Sequence, residues 1–166
     1  MKVVLYGDPI LRSVCKPVVA ITDTLRMTVA NMIETIGEHQ GVGLAAPQVG
    51  MSERLVVIDP RLMDRTEEVI VMINPEIRES EGSNVFREGC LSLPGVEAEI
   101  RRPAAVTVSY TDMDNVSQTK RFIGVKARIV QHEIDHLNGV LFTDYLNPVW
   151  RWHLLRKVKR RINGKA

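Results

Sequence analysis

The sequence contains a His-Glu-x-x-His motif, formed by His132, Glu133 and His136. Residues four positions apart in an α-helix lie one turn apart on the same face, so both imidazoles can bind one metal ion. The glutamate between them can then reach a water molecule on that ion. Neutral imidazole is a good ligand for zinc or ferrous iron, and a metal-bound water can become a hydroxide nucleophile near neutral pH. The motif therefore predicts a metal-binding helix, although a histidine and a glutamate also occur on ordinary solvated helices.

The residues around the motif favour the metal-binding interpretation. Val125 and Ile129 fall on the same helical face as the two histidines, which predicts an apolar floor beside the metal. Asn138 and Gly139 follow the motif and predict the end of the helix.

Cys90 is the candidate for a third ligand. Taken alone, a free cysteine is more often a buried thiol than a ligand, but thiolate suits zinc or ferrous iron and a histidine pair makes ligation the better interpretation. Two histidines and one cysteine leave a fourth position open for water, as in catalytic sites. We expect the other cysteine, Cys15, to be a small packed residue.

The segment 41–48, Gly-Val-Gly-Leu-Ala-Ala-Pro-Gln, is rich in small residues without being polar. Its glycines allow a ligand to approach the backbone closely, and Gln48 adds a side-chain donor and acceptor. No phosphate-binding Gly-Lys-Ser/Thr follows. We interpret the segment as a substrate-facing loop, with a simple turn as the alternative.

Periodicity and turn residues predict one α+β domain, with mostly antiparallel sheets packed around the central metal-binding helix. An N-terminal helix capped by Thr22 or Asp23 runs to about His39, and a basic C-terminal helix starts after Asn147 and Pro148. We divide the chain into a catalytic region, 1–147, and a helical extension of the same domain, 148–166. The predicted strands are 3–5, 55–59, 69–73, 96–100, 105–110 and 119–123, with 76–84 as a polar loop or edge strand.

Charge is unevenly distributed. Of the 22 basic and 20 acidic residues, seven basic and no acidic residues fall in 151–166, which leaves a net charge of −5 for 1–150. This asymmetry suggests a polyanionic partner for the last helix, whereas the alternative is a surface helix packed by one apolar stripe.

Features of a membrane or secreted protein are lacking in the sequence. It has no apolar run of membrane-spanning length, and its first residues reach Asp8 too early for a signal peptide. We therefore expect a cytoplasmic protein without a membrane partner, or an organellar one after removal of a transit peptide.

Three segments together resemble the peptide deformylase family. Residues 41–48 match Gly-φ-Gly-φ-Ala-Ala-x-Gln, where φ is apolar, 88–92 match Glu-Gly-Cys-φ-Ser, and 131–136 match Gln-His-Glu-x-Asp-His. The similarity extends over most of the chain, including 8–11 and 142–145. It implies removal of the N-formyl group from the initiator methionine of nascent polypeptides, with release of formate, by attack of a metal-bound hydroxide. We expect the enzyme to be a monomer.

The resemblance also implies the roles of the metal-site residues. Cys90, His132 and His136 hold one divalent ion, typically Fe²⁺ in this family, with Zn²⁺, Ni²⁺ or Co²⁺ also accepted. Glu133 acts as the general base and then as the proton shuttle. Glu88, two residues before a metal ligand, is predicted to orient the ligands.

Oxyanion and substrate contacts follow from the same resemblance. Gln48 and the backbone N–H of Leu91 stabilise the developing oxyanion, which is how hydrolases lower such barriers. Gly43 offers backbone hydrogen bonds to the peptide. The methionine side chain is expected to lie against an apolar surface formed by Val42, Val125 and Ile129.

Physical argument predicts the positions of two arginine side chains. Arg102 is the predicted countercharge of Glu88. Arg128 lies near the face of the predicted pocket, where a charged side chain is expected to extend to the mouth and reach solvent.

Two other functions are compatible with parts of the pattern. A small zinc peptidase shares His-Glu-x-x-His, but such enzymes usually take their third ligand from a downstream glutamate or histidine. A ribosome-bound homologue without activity is the non-enzymatic alternative. Bacterial deformylases can carry a terminal helix that docks on the ribosome, which makes the ribosome a candidate partner of the basic helix.

Overall fold

The computed structural model describes residues 1–164. Within them the α-helices are α1 (Asp23–Glu38), α2 (Gly124–Leu137) and α3 (Pro148–Ile162). The strands are β1 (Gly43–Ala45), β2 (Leu55–Ile58), β3 (Ile70–Glu81), β4 (Asn84–Cys90), β5 (Leu93–Arg102), β6 (Ala105–Thr111) and β7 (Ser117–Ile123). Short 3-10 helices cover Pro9–Arg12, Ala46–Val49, Pro60–Leu62 and Phe142–Tyr145.

The strands form two antiparallel sheets. The larger has the order β1-β2-β3-β6-β7, and the smaller consists of β4 and β5. The predicted α+β class with mostly antiparallel sheets is confirmed.

Strand β2 of the large sheet is buried on both faces, between α2 and α1. In β2, Val56 and Ile58 pack in the cluster that contains Val130 and Ile134 of α2. The alternate residues of β2 pack in a second cluster with α1. Successive side chains of a strand point to opposite faces, so one strand is covered by both helices.

Helix α3 packs on the small sheet. Leu154 and Val158 of α3 are buried with Leu93 and Val96 of β5 and with Phe142. Of the predicted apolar stripe, Leu154, Val158 and partly Ile162 therefore join the core and anchor the helix to the body, whereas Trp150 is exposed. Of the region assigned to the extension, 165–166 lie outside the described residues.

The helix ends agree with the capping residues. The Thr22 side chain accepts a hydrogen bond from the Leu25 backbone N–H at 3.2 Å, and the Asn147 side chain accepts one from Trp150 at 3.0 Å. Helix α2 ends at Leu137, directly before the predicted stop. No helix between residues 1 and 164 combines the length and apolarity needed to cross a membrane.

Several strand predictions were wrong. Residues 3–5 form no strand, because Val4 N donates to Gln48 O at 2.8 Å whereas Tyr6 N donates to Ser92 O at 2.8 Å. The segment thus forms hydrogen bonds with two separate parts of the chain instead of pairing with one neighbouring strand. Strand β1 lies inside the predicted loop 41–48, and β4 was not predicted. Most of the polar segment 76–84 belongs to the second half of β3, in agreement with its alternative as a strand.

Candidate metal centre

The three predicted metal ligands converge in the structure. Helix α2 presents His132 and His136, and Cys90 ends strand β4. One donor atom from each residue lies within 4.8 Å of the others, and Cys90 Sγ is 3.3 Å from His136 Nε2. Two imidazoles and a thiol form a donor set that suits zinc or ferrous iron, so the residues fit a divalent metal ion.

Burial shields the two histidine ligands from solvent. His132 and His136 are 8% and 1% exposed. Burial and the neighbouring His132 lower the pKa of His136 well below its ordinary value. The neutral form of the imidazole, which is the form that binds metals, is therefore favoured.

Glu88 orients His132 from behind. The Nδ1–H of His132 donates to Glu88 Oε2 at 3.0 Å, which leaves Nε2 as the nitrogen available to a metal. Burial by itself would raise the pKa of Glu88, but hydrogen bonds from His132 and Arg102 outweigh burial and lower that pKa to about 2. The carboxylate is thus held in its ionised, accepting form.

Arg102 is the countercharge of Glu88, as predicted. Its Nε donates to Glu88 Oε1 at 2.7 Å and its Nη2 donates to Oε2 at 3.0 Å. Arg102 Nη1 also donates to Asp135 Oδ2 at 2.6 Å, and the Tyr145 hydroxyl donates to the same oxygen at 2.9 Å. This network joins β4, β5 and α2 directly behind the metal ligands.

The prediction for Arg128 was wrong. Its side chain is buried instead of extending to solvent, with the residue only 5% exposed. Nη1 donates to Glu88 Oε1 at 2.7 Å and to Ile100 O at 2.8 Å, and Nη2 donates to Asn84 Oδ1 at 2.7 Å. A carboxylate and two strands thus supply acceptors for both Nη groups, whereas Nε has no partner among residues 1–164.

Glu133 stands in a confined position beside the cluster. It is 4% exposed, and its Oε2 has no hydrogen-bond partner among residues 1–164. Burial raises the pKa of this carboxyl to about 7, a value that suits a group that accepts and returns protons. A Cβ placed on Gly43 would lie 2.6 Å from Glu133 Oε1, so only glycine allows this approach.

The amide oxygen of Gln48 is held by the backbone, and its amide nitrogen is directed at the metal ligands. Its Oε1 accepts from Ala45 N at 2.8 Å, which commits the amide nitrogen to the opposite side. Nε2 lies 3.4 Å from both Cys90 Sγ and Ser92 Oγ. A fixed N–H donor beside the ligands is the arrangement needed to stabilise an oxyanion.

A cleft of about 1140 Å³ opens onto these residues. Its lining includes each of the residues predicted to contact substrate, namely Val42, Gly43, Leu91, Val125 and Ile129. Ile129 is 7% exposed whereas Val125 is 49% exposed. Both residues line the cleft, and Val125 is the more exposed because it lies in the first turn of α2. Their role as an apolar floor beside the metal stays a prediction.

Comparison with known proteins agrees with this geometry. The family model described as polypeptide deformylase matches residues 1–152. The chain belongs to the polypeptide deformylase family. The family and its curated members are deformylases, so membership opposes the peptidase alternative.

Individual relatives cover nearly the whole chain. A peptide deformylase of Mesorhizobium japonicum is 44% identical over 164 residues, which is 98% of this chain and 93% of the relative. The crystal structure of a peptide deformylase from Legionella pneumophila has a TM-score of 0.92 at 40% identity and covers 99% of this chain and 98% of its own. A deformylase from Synechococcus elongatus, solved in complex with actinonin, has a TM-score of 0.89 at 41% identity, with 99% and 88% covered.

Some residues of this deformylase site were not found from the sequence. Ser92 is completely buried next to Gln48, and its place in the Glu-Gly-Cys-Leu-Ser segment was the available signal. Asp135 and Tyr145 extend the network behind the metal site. Phe142 stacks on the His132 ring, with 6.2 Å between ring centroids. For these three residues the contacts depend on tertiary structure.

Proposed function

We propose that this chain hydrolyses the N-formyl group from the initiator methionine of nascent polypeptides and releases formate. The observation that carries the proposal is the convergence of Cys90, His132 and His136 with Glu133 and Gln48 on one cleft. Formamide hydrolysis needs a nucleophile, a proton carrier and a donor for the developing oxyanion. Each of these needs has a candidate group among these side chains.

The ion we propose is Fe²⁺, held by Cys90, His132 and His136, with Zn²⁺, Ni²⁺ or Co²⁺ as substitutes that the same donors accept. A divalent ion there would supply Lewis-acid chemistry that activates water and polarises the formyl carbonyl. The assignment of iron rests on the family resemblance and on the mixed nitrogen and sulfur donors.

Glu133 is proposed to take a proton from the attacking water and deliver it to the leaving amine as the formyl C–N bond breaks. Its position in the cleft and its raised pKa, about 7, support both halves of this transfer. Gln48 Nε2 and the backbone N–H of Leu91 are proposed to donate to the carbonyl oxygen as it gains negative charge.

The formylmethionine side chain is proposed to enter the apolar part of the cleft beside Ile129 and Val42. A flexible, unbranched side chain suits a narrow apolar slot. Gly43 would then present its backbone to the peptide. The close contact of Gly43 with Glu133 supports this placement because it brings substrate and proton carrier together.

The test is anaerobic purification followed by metal analysis and formate assay of the same sample. We expect about one divalent ion per chain and formate release from formyl-Met-Ala-Ser. A matched acetyl-Met-Ala-Ser peptide and a peptide with only internal amides should remain intact. Cleavage of the internal amide, or no formate release by metal-loaded protein, would overturn the proposal.

A second proposal concerns the surface of α3, which we propose docks on a polyanion, the ribosomal RNA, near emerging chains. Trp150 and Trp152 are 60% and 61% exposed, and Arg156 lies 5.3 Å from the Trp152 ring. Exposed aromatics beside cations are suited to stacking on bases and binding phosphates. Lys165, part of the predicted basic segment, lies outside the described residues.

Docking is best tested by charge reversal because Leu154 and Val158 make α3 part of the core. The double variant Arg156→Glu and Lys157→Glu should reduce ribosome co-sedimentation at low salt while turnover of formyl-Met-Ala-Ser is retained. Unchanged co-sedimentation would remove the proposal. We further propose a cytoplasmic location, on the ground that the proposed substrate is a nascent chain, and a monomer stays our expectation from the sequence.

A further inference from the structure

The last turn of α3 places a cation at the edge of the substrate cleft. Arg161 follows the buried residues Val158 by three positions and Leu154 by seven, so it lies on the inward face of the helix. A Cβ placed on Gly95 would lie 2.5 Å from Arg161 Nη1 and 2.8 Å from its Cζ. Gly95 lines the cleft. The guanidinium therefore packs against Gly95, whereas Arg161 itself is an exposed residue outside the cleft lining.

Positive charge exceeds negative charge on the outer cleft wall. Lys2, Arg87 and Glu97 are exposed residues that line it, and Arg87 is already paired with Glu97. Within residues 1–164, neither Lys2 nor Arg161 forms a salt bridge with a carboxylate. The remaining acidic residues of the lining, Glu88 and Glu133, are buried within the reaction site. The outer wall therefore has one uncompensated cation, Lys2, and Arg161 adds a second beside Gly95.

A peptide in this cleft would bring its downstream residues within reach of that charge. The cleft volume of about 1140 Å³ exceeds what one methionine side chain occupies, and an extended peptide advances about 3.3 Å per residue. A guanidinium matches a carboxylate by two parallel hydrogen bonds. A cleft lined by one sign of charge also concentrates ligands of the opposite sign.

We propose that Arg161 makes the Gly95 side of the cleft a cationic subsite, which favours formylated peptides with an aspartate or glutamate downstream of methionine. The inference rests on the proposed deformylase function and adds a substrate preference to it. Arg161 acts here as a specificity residue, and α3 has two faces with different tasks. Its outward side chains are available to a polyanion, whereas the guanidinium of Arg161 packs on Gly95 beside the cleft.

The test is a panel of formyl-Met tetrapeptides in which Asp, Asn or Lys occupies the second, third or fourth position. The quantity compared is the ratio of kcat/KM for Asp to that for Lys at each position, measured within one enzyme preparation so that partial unfolding cancels. At one position or more, we expect the wild-type protein to prefer Asp by about two- to fivefold, the size of an exposed ion pair. The preference should shrink in about 0.5 M salt, where such charges are screened.

Two substitutions assign the preference to this side chain. Arg161→Glu should reverse the ratio and Arg161→Gln should bring it close to one. Arg160→Glu makes the same change of charge one residue away, on the outward face, and should leave the ratio as in the wild type. The Asn peptides report turnover without a substrate charge.

Three outcomes would overturn the inference while leaving the proposed function intact: equal turnover of Asp and Lys peptides at every position, a preference that survives Arg161→Gln, or one that Arg160→Glu removes equally. Lack of formate release from every peptide by metal-loaded wild-type protein would instead reject the proposed function itself.

Discussion

Glu133 combines burial with an unpartnered oxygen, and this combination decides its chemistry. A carboxyl so placed holds a proton more readily than one in solvent, since water does not stabilise its charge. The backbone of Gly43 closes one side of it. The position of this single side chain therefore depends on two segments that are remote in sequence.

Glu133→Gln removes the proton carrier without changing the volume of the side chain. We expect kcat for formyl-Met-Ala-Ser to fall by about 10²–10⁴-fold, the usual contribution of a general acid–base group. Metal content should remain that of the wild type because the three ligands are untouched. A variant with bound metal and full activity would contradict the assignment of Glu133.

Gly43→Ala tests the close approach of Gly43 to the Glu133 carboxyl. The new Cβ would lie 2.6 Å from Glu133 Oε1, so the carboxyl must move and kcat/KM should fall by at least about tenfold, as misplacement of a catalytic group predicts. Gly37→Ala is the matched control, because its Cβ would meet nothing within 4 Å. Equal activity of the two variants in the formate assay would show that the contact has no catalytic consequence.

At the scale of elements, Glu88 links the two pieces of the chain that carry metal ligands. It lies on β4 with Cys90, and it binds His132 and Arg128 of α2. Its other partner, Arg102, belongs to β5. One buried carboxylate therefore sets the position of the small sheet against the central helix.

Glu88→Gln should be strongly destabilising. It leaves Arg102 and Arg128, which are 3% and 5% exposed, without their shared countercharge, and breaking a buried ion pair costs about 3–5 kcal/mol. Glu97→Gln removes an exposed partner of Arg87 and should cost less than about 1 kcal/mol. Denaturant unfolding of both variants measures the difference, and equal losses would contradict the network.

The lowered pKa of Glu88 also predicts a dependence of stability on pH. In the folded state this pKa is about 2, below the ordinary value of 4.5, so the folded state binds fewer protons there than the unfolded chain. The stabilisation is complete above about pH 4.5 and is lost as pH falls towards 2. Glu88→Gln should flatten this part of the stability curve relative to the wild type. An identical slope for the two proteins would contradict the assignment.

Helices, motif residues and part of β5 could be predicted from the sequence, whereas strand β4 of the small sheet could not. Repeated apolar positions and side-chain caps such as Asn147 identify helices locally. Strand β4 is mostly exposed, including its apolar residues Val85 and Phe86, so it lacks the alternation of buried apolar and exposed polar residues that marks a strand. The buried position of Arg128 depends on Glu88, 40 residues away, and no local pattern contains that information.

At the scale of the whole molecule, the last helix belongs to the same core as the metal site. Leu154 and Val158 pack in one cluster with Phe142, and Phe142 stacks on His132. The apolar contacts of α3 therefore continue to within one side chain of the reaction centre.

Leu154→Ala should consequently destabilise the whole chain. The residue is 8% exposed, and removal of a buried leucine costs about 2–5 kcal/mol. We expect a single unfolding transition, at lower denaturant concentration, when helix content and tryptophan fluorescence are followed together. An early transition confined to the tryptophan signal would show instead that α3 unfolds alone.

The proposed metal centre consists of one cysteine and two histidines, from separate elements, that hold a single ion. X-ray absorption spectroscopy of the zinc-substituted protein tests it directly. We predict one sulfur at about 2.3 Å and two imidazole nitrogens at about 2.0–2.1 Å, with the sulfur signal absent in Cys90→Ala. A spectrum of the wild-type protein without a sulfur neighbour, or one unchanged by Cys90→Ala, would contradict the account.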